Sequence, residues 1–173
     1  YAVGEAIYRG LAQSGGATHS VIVSGEGGAG KTEANKQLVS YLRWRGGGGS
    51  GGGGERIAQV LGRSDVLLEA LGNARTVNNR NSSRFAKHLH LTFQAAGARG
   101  GGAAATPRGG CAMAAAALRV YLLERSRVVR QAAGDRNFHA LYALCAAPAE
   151  MRRQLAVCAP TSHAYTSGGG VEE

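Results

Sequence analysis

The fold class of this chain is decided by the segment Gly25-Glu26-Gly27-Gly28-Ala29-Gly30-Lys31-Thr32. Two glycines at this spacing, followed by lysine and a hydroxyl residue, are typical of a phosphate-binding loop. Glycine lets successive backbone N–H groups curl towards one point, and the positive end of a following helix adds to their attraction for an anion. We expect all eight residues to contact nucleotide, with Lys31 bridging the β- and γ-phosphates and Thr32 ligating Mg²⁺. The alternative interpretation of this segment is a flexible glycine-rich turn that binds no phosphate.

The sequence on both sides of this segment fits a strand, a loop and a helix. His19 to Ser24 is predicted to form a short buried strand, and Lys31 to Arg45 a helix. An earlier helix is predicted over Tyr1 to Leu11, with Val3, Ile7 and Leu11 on one face. The buried face of the helix after the loop is predicted to be Ala34, Leu38, Tyr41 and Leu42. Residues 46–54 form a glycine-rich linker without chemistry of its own.

The second half of the chain predicts a helix, a polar loop and a β-hairpin. Glu55 to Leu71 is predicted to be helical, with Ile57, Val60, Leu61, Leu67, Leu68 and Leu71 available for burial, and Asn73 to Ser83 to be a polar loop. From Phe85 the residues alternate: Phe85, Leu89, Leu91 and Phe93 share one face, and Ala86, His88, His90 and Thr92 the other. The predicted partner strand is Met113 to Leu123, across a Gly/Ala-rich loop at 97–110. Further helices are predicted at Arg136 to Ala146 and Glu150 to Cys158.

Composition sets limits on function. The 173 residues carry 20 Lys+Arg against 11 Asp+Glu, a net charge of +9, but 17 of the cations are arginines scattered through an Ala- and Gly-rich chain. Composition bias explains this as well as a polyanion partner does, and we predict no nucleic acid partner. No apolar run approaches the roughly 18–20 residues that span a bilayer, and no leader is evident at Tyr1. We therefore expect a soluble, unsecreted, cytoplasmic protein without a transmembrane segment.

Three other groups of residues receive structural interpretations. Three cysteines, Cys111, Cys145 and Cys158, are an odd number without a close pair, so we predict reduced thiols packed as small apolar residues. His88 and His90 share a strand face but have no third ligand nearby, so a solvent-facing or interdomain face is favoured over a metal pair. Arg125, Arg127 and Arg130, beside Glu124, are interpreted as an exposed charged face, with a polyanion contact as the alternative.

Five motifs in order resemble the myosin motor domain. They are Gly25-Glu26-x-Gly28-Ala29-Gly30-Lys31-Thr32-Glu33, Asn73-Ala74-x-Thr76, Asn79-x-Asn81-Ser82-Ser83-Arg84-Phe85-x-Lys87, Tyr121-Leu122-Leu123-Glu124-x-Ser126-Arg127-Val128 and Arg136-Asn137-Phe138-His139. Kinesins share the Ser-Ser-Arg element, but in them a histidine follows shortly after. Here Phe85-Ala86-Lys87 follows, so myosin is the better match.

The resemblance implies roles for the second loop, residues 79–87, as switch I. Ser83 would be the second protein ligand of Mg²⁺ beside Thr32, Ser82 would lie beside the attacking water, and Asn79 near the phosphates. Lys31, Ser82 and Arg84 are the catalytic candidates. The plain alternative is a polar turn that caps a strand.

The resemblance also implies a fold and an activity. We expect residues 1–173 to form part of an α/β P-loop NTPase motor core, with helices around a mixed sheet and a β-hairpin after switch I. The implied protein is an ATPase that uses ATP and Mg²⁺, binds actin filaments through regions outside this chain and associates with the cytoskeleton, with light chains or calmodulin as possible partners elsewhere. The alternative is a non-motor fragment that binds nucleotide, or only other proteins, without turnover.

The chain departs from the family pattern at several points. Gly27 stands where myosins usually have serine, and Ala86 where they have glycine. The only aspartates, Asp65 and Asp135, do not end apolar strands, so switch II is absent, and with it the glutamate that would pair with Arg84. We therefore expect these 173 residues alone to bind Mg-nucleotide weakly and to hydrolyse it little above background.

Overall fold

The computed structural model describes residues 1–13, 18–46, 53–95 and 110–168 of the chain. Its helices are α1 Ala2–Gln13, α2 Lys31–Arg45, α3 Gly53–Gly72, α4 His139–Cys145 and α5 Ala149–Gln154. Its strands are β1 Asn73–Thr76, β2 Asn79–Ser83, β3 Ala86–Ala95 and β4 Cys111–Tyr121. Two 3-10 turns lie at Arg125–Val128 and Pro160–Ser162. The mixture of helices and strands confirms the predicted α/β class.

The strands pair as two two-stranded sheets, β1 with β2 and β3 with β4. The β3–β4 sheet is the hairpin predicted after residues 79–87, although its tip at 96–109 lies outside the described residues. Within the described ranges these two pairs are the only sheets, and the mixed sheet of the expectation is not among them. The helices found there include none with the length and apolar character that a bilayer crossing requires.

The chain divides into two compact units. Unit 1 contains the described residues of Tyr1–Arg63 and Leu89–Arg119, and unit 2 those of Ser64–His88 and Val120–Glu173. The phosphate-loop segment therefore belongs to unit 1, and the predicted switch I segment to unit 2.

The core of unit 1 forms where α1 packs against α2 and the hairpin strands. Tyr8, Leu42 and Cys111 are buried at its centre. The residues that pack around them are Ile7, Leu11, Leu38, Leu91 and Phe93. Leu38, Tyr41 and Leu42 confirm three of the four predicted residues of the α2 face, and Ala34 is exposed. On α1, Ile7 and Leu11 pack against the core as predicted, but Val3 is exposed and Tyr8 is buried instead.

The predicted buried strand from His19 to Ser24 is wrong. The described segment is exposed, with Ile22 at 90% of its full accessible surface, and it forms no strand. A β-strand needs a neighbouring strand to accept and donate its backbone hydrogen bonds, and no strand in the described residues pairs with this segment. The apolar run of Val21, Ile22 and Val23 therefore shows that a segment can favour a strand by its residue types and still not form one among the described residues.

The α3 helix lies where it is predicted, and half of its predicted buried face is confirmed: Ile57, Leu61 and Leu68 are half-buried. The helix ends at Gly72, as the Gly72-Asn73 sequence predicts. Val60, Leu67 and Leu71, which were expected to be buried, are exposed, because no described element covers that side of the helix.

The predicted polar loop from Asn73 to Ser83 is an antiparallel hairpin. Asn73 lies opposite Ser83 and Ala74 opposite Ser82, with an irregularity between Ala74 and Thr76. Apolar alternation cannot find such strands because most of their side chains are polar. Burial of Ala74, which also forms a bridge with Phe138, holds β1 in place instead.

Both C-terminal helices are shorter than predicted. α4 begins at His139 because the preceding backbone has other partners: the Arg136 N–H donates to the Arg75 carbonyl at 2.9 Å. α5 ends at Gln154 because Ala156 has a left-handed φ of 51°, which lets the Val157 N–H turn back to the Arg152 carbonyl at 2.9 Å. Cys145 is buried, as predicted, whereas Cys158 is exposed after α5 ends early.

The alternation predicted for β3 is confirmed, with Leu89, Leu91 and Phe93 half-buried and His88 and His90 exposed. In unit 2, Lys87 at the start of the strand binds Asp65 of α3 at 2.6 Å. The histidine pair faces solvent. Among the described residues no group of three His, Cys, Asp or Glu side chains could hold a metal ion.

The Tyr8 hydroxyl joins α1 to the first residue of β4. It donates to the Cys111 carbonyl at 3.0 Å and accepts from the Cys111 N–H at 3.1 Å. Both backbone groups of Cys111 are therefore satisfied by one buried side chain, in place of a neighbouring strand.

We predict that Tyr8→Phe lowers the free energy of unfolding by about 1–3 kcal/mol. The substitution keeps the aromatic ring but leaves the buried N–H and carbonyl groups of Cys111 without the hydroxyl that binds them. Urea denaturation measures the change. The matched control is Tyr1→Phe, since Tyr1 is 97% exposed, and it should be neutral. Equal midpoints for the two variants would contradict this account.

Glu5 ties α1 to α2 through a cluster of cations. Its carboxylate accepts hydrogen bonds from Arg9 at 2.8 Å, Arg45 at 3.0 Å and the Tyr41 hydroxyl at 2.8 Å. Hydrogen bonds from Arg45, then Arg9 and Tyr41, lower the pKa of Glu5 from 4.5 to about 2. The ionised form of Glu5 is thus the form that the fold favours.

We predict that Glu5 contributes pH-dependent stability. Because its folded-state pKa is below the ordinary value, the contribution is complete above a pH of 4.5 and is lost as pH falls from there towards about 2. Glu5→Gln should flatten the dependence of the urea midpoint on pH within that window. The matched control is Glu33→Gln, at an exposed carboxylate that accepts a hydrogen bond from the uncharged Gln37 side chain. Parallel curves for Glu5→Gln and the unchanged chain would refute the assignment.

Candidate functional site

The phosphate-loop segment forms an exposed turn that ends where α2 begins. Gly28 and Gly30 have φ values of 83° and 81°, the left-handed region that side chains other than glycine rarely adopt. The Ala29 N–H closes the turn on the Glu26 carbonyl at 3.2 Å. α2 then starts at Lys31, so the loop leads directly into a helix N-terminus.

The Lys31 side chain folds back over this loop. Its ammonium donates to the Gly25 carbonyl at 2.5 Å and the Glu26 carbonyl at 2.6 Å. An ammonium has three donors, so these bonds fix its position and leave one donor for another acceptor. The first turn of α2 adds the N–H groups of Lys31, Thr32 and Glu33, which have no intrahelical acceptor. Exposed donors beside a fixed cation fit the oxygens of a phosphate group.

The hydroxyl candidates of the second segment lie on opposite faces of β2. Ser82 is buried opposite Ala74, and its Oγ accepts from Arg84 Nη1 at 3.4 Å. Ser83 is exposed, so its hydroxyl is accessible from solvent. Strand alternation thus places the two neighbouring serines on opposite faces of β2, and their different roles stay a prediction.

Asn79 and Asn81 organise the start of β2. The Asn79 side chain accepts from the Asn81 N–H at 2.9 Å, and the Asn79 N–H donates to the Thr76 hydroxyl at 3.2 Å. Asn81 Oδ1 accepts from Asn73 at 2.9 Å and lies 3.0 Å from His139 Nε2. Burial, with the nearby Arg136 charge, lowers the pKa of His139, so the neutral ring donates from Nε2 to Asn81.

Arg84, a catalytic candidate at the end of β2, has a carboxylate partner within the chain. Its Nε donates to Glu124 Oε2 at 2.6 Å, and the Glu124 N–H donates back to the Arg84 carbonyl at 2.9 Å. Arg127 donates to the same oxygen at 2.7 Å. The two guanidinium groups, Arg84 first, lower the pKa of Glu124 to about 2, so this carboxylate is ionised at neutral pH.

The interpretation of Arg127 as part of an exposed charged face is wrong. Arg127 is only 4% exposed, whereas Arg125 and Arg130 on either side of it are exposed as expected. The 3-10 turn Arg125–Val128 causes the difference, because it directs Arg127 inwards, where two carboxylates compensate its charge.

The sequence reasoning missed four residues that organise unit 2: Asn73, Asp135, Asn137 and His139. Three of them lie in quoted motifs, and Asp135 directly precedes one. Position in a motif was the available signal. The partners of Asn73, Asp135 and His139 lie 8 to 58 residues away along the chain, and no local periodicity reveals such contacts.

The predicted approach of residues 79–83 to the phosphate loop, with Thr32 and Ser83 sharing one Mg²⁺, stays a prediction. The two segments belong to different units. Each has its own internal hydrogen bonds; Lys31 and Thr32 are half-buried and Ser83 is exposed.

Comparison with known proteins identifies a family. The whole chain, residues 1–173, matches the family model described as myosin head (motor domain). Among Arabidopsis thaliana proteins, Myosin-8 is 41% identical and Myosin-13 43% identical over 165 residues, which is 95% of this chain and 10% of each of those proteins. Myosin-5 is 44% identical over 150 residues, 87% of this chain and 9% of that protein. The chain spans about a tenth of the length of these relatives.

We predict that serine is tolerated at Gly27 and not at Gly30. A Cβ added at either position meets no atom within 4 Å, but Gly30 has a left-handed φ and Gly27 does not. Gly30→Ser should therefore cost about 1–2 kcal/mol of stability and Gly27→Ser nearly nothing, measured by urea denaturation. Equal costs for the two variants would show that the loop differs from this conformation.

Proposed function

The chain belongs to the myosin motor-domain family, and from this we propose that it forms the nucleotide-binding part of an actin-based motor ATPase. The observation that carries the proposal is the phosphate loop: Lys31 is held at the loop by the Gly25 and Glu26 carbonyls, at the start of a helix. Fold and family agree with this chemistry, and neither alone would assign it.

The proposed ligand is ATP with Mg²⁺. All eight residues of 25–32 are proposed to surround its phosphates, with backbone N–H groups and Lys31 as the donors. Bound Mg²⁺ would offset the negative charge of the β- and γ-phosphates, and Thr32 and Ser83 would hold it through their hydroxyl oxygens.

The second segment is proposed to act on the γ-phosphate side. Asn79 would contact the phosphates, and Ser82 would orient the attacking water. Arg84 is proposed to hold Ser82 through the contact at 3.4 Å while Glu124 fixes its guanidinium. Such groups accelerate hydrolysis by positioning the water and by stabilising charge on the transferred phosphoryl group.

In the longer protein we propose that this part drives movement along actin filaments and that the protein associates with the cytoskeleton. Actin-binding surfaces and sites for light chains or calmodulin would lie outside these residues, since the chain spans only about a tenth of its relatives.

The first test is nucleotide binding. Lys31→Ala should weaken binding of a fluorescent ATP analogue about 10- to 100-fold, the loss expected for one hydrogen bond to a charged group. Lys36→Ala, on the same helix, should change affinity less than twofold. Binding that does not depend on Lys31 would contradict the proposed site.

The second measurement concerns turnover. Without switch II, the 173 residues alone should hydrolyse Mg-ATP little above background, because loss of a transition-state stabiliser commonly costs about 10²- to 10³-fold in rate. Actin filaments should not accelerate the reaction. Robust turnover abolished by Lys31→Ala would show that these residues already contain a complete catalytic site.

A further inference from the structure

Arg127 is a buried guanidinium that uses all three of its nitrogens. Nε donates to Glu124 at 2.7 Å, Nη2 to Asp135 at 3.0 Å and Nη1 to the Arg136 carbonyl at 2.9 Å. Because Arg127 is only 4% exposed, water contributes little to the stabilisation of its charge. The protein must supply that compensation, and it does so with groups from both sides of the 3-10 turn.

Each of the three acceptors is itself bound to the β1–β2 hairpin or to the residue that directly follows it. Glu124 holds Arg84, which directly follows β2. Asp135 accepts the Val77 N–H at 3.1 Å, in the turn between the two strands. The backbone of Arg136 donates to the Arg75 carbonyl in β1 at 2.9 Å.

The hairpin is therefore fixed at both ends of β2, at the turn and at Arg84, through a single buried side chain. The four side chains Arg84, Glu124, Arg127 and Asp135 carry two positive and two negative charges, so the cluster is neutral as a whole. Loss of one carboxylate would leave a buried cation partly uncompensated and would free one end of the strand.

We propose that Arg127 and Asp135 are positioning residues for Ser82 and Ser83: they hold β2 in the conformation in which Ser83 can serve as a metal ligand. The inference rests on the proposed function, since it concerns the Mg²⁺-dependent part of nucleotide binding. Groups that orient metal ligands without touching the metal typically account for about 10- to 100-fold of metal affinity.

The test uses Asp135→Asn, which keeps size and shape. The amide can still accept the Val77 N–H through its oxygen, but its NH₂ group then faces Arg127 Nη2, where a carboxylate oxygen was. The matched control is Asp65→Asn, which removes the carboxylate of the Lys87 pair in the same unit. Affinity for a fluorescent ATP analogue is measured for each chain in Mg²⁺ and in excess chelator.

We expect Asp135→Asn to leave affinity in chelator within about twofold and to reduce the enhancement by Mg²⁺ about 10-fold or more. Asp65→Asn should retain the full enhancement, and Asp135→Glu, which restores the charge, should recover part of it. Amide hydrogen exchange at Val77 and at residues 82–83 should be faster in Asp135→Asn than in the unaltered chain, and unchanged in Asp65→Asn.

Three results would overturn the inference. They are an unchanged Mg²⁺ enhancement in Asp135→Asn, equal losses in Mg²⁺ and in chelator, which indicate general loss of structure, and an unaltered chain on which Mg²⁺ has no effect. Failure of the proposed function looks different, because the unaltered chain would then show no nucleotide binding that depends on Lys31.

Discussion

The buried charge of Arg127 is the constraint on which the second unit depends. A guanidinium removed from water is tolerated only when carboxylates and carbonyl oxygens replace its hydration. The chain brings those acceptors from three directions, and each one is attached to a different point of the β1–β2 hairpin. The groups that compensate the charge of Arg127 are therefore the same groups that hold the hairpin in its conformation.

Hydrogen bonds between buried polar groups hold unit 2 together, whereas apolar packing holds unit 1 together. Asn137 is fully buried, and its side chain donates to the Val128 carbonyl at 2.9 Å and the Tyr165 carbonyl at 2.8 Å while accepting the Phe138 N–H at 2.8 Å. One side chain thereby satisfies three backbone groups that have left regular secondary structure. Satisfied polar networks of this kind specify a single arrangement, because every alternative leaves a buried group without a partner.

Sequence alone predicted the elements that local physics determines. The α2 boundaries, the β3 alternation and the loop before the helix follow from periodicity and glycine spacing, and the structure has helix and strand at those places. It could not predict the β1–β2 hairpin, whose strands are polar, or the burial of Arg127, which depends on Asp135 eight residues further on. The segment at 19–24 failed in the opposite way: its residues favour a strand, but pairing requires a neighbour that propensity cannot supply. The roles of the site residues came from motif order, which local pattern does not contain.

The early end of α5 has a chemical consequence. Of the three thiols in the chain, Cys111 and Cys145 are buried, and burial raises the pKa of Cys111, so it remains a poorly reactive thiol. Cys158 is exposed, because the left-handed residue Ala156 stops the helix before the cysteine can pack. A thiol-selective reagent applied to the folded chain therefore discriminates between chemically identical side chains by backbone geometry alone. Cys158 is the natural attachment point for a single spectroscopic label.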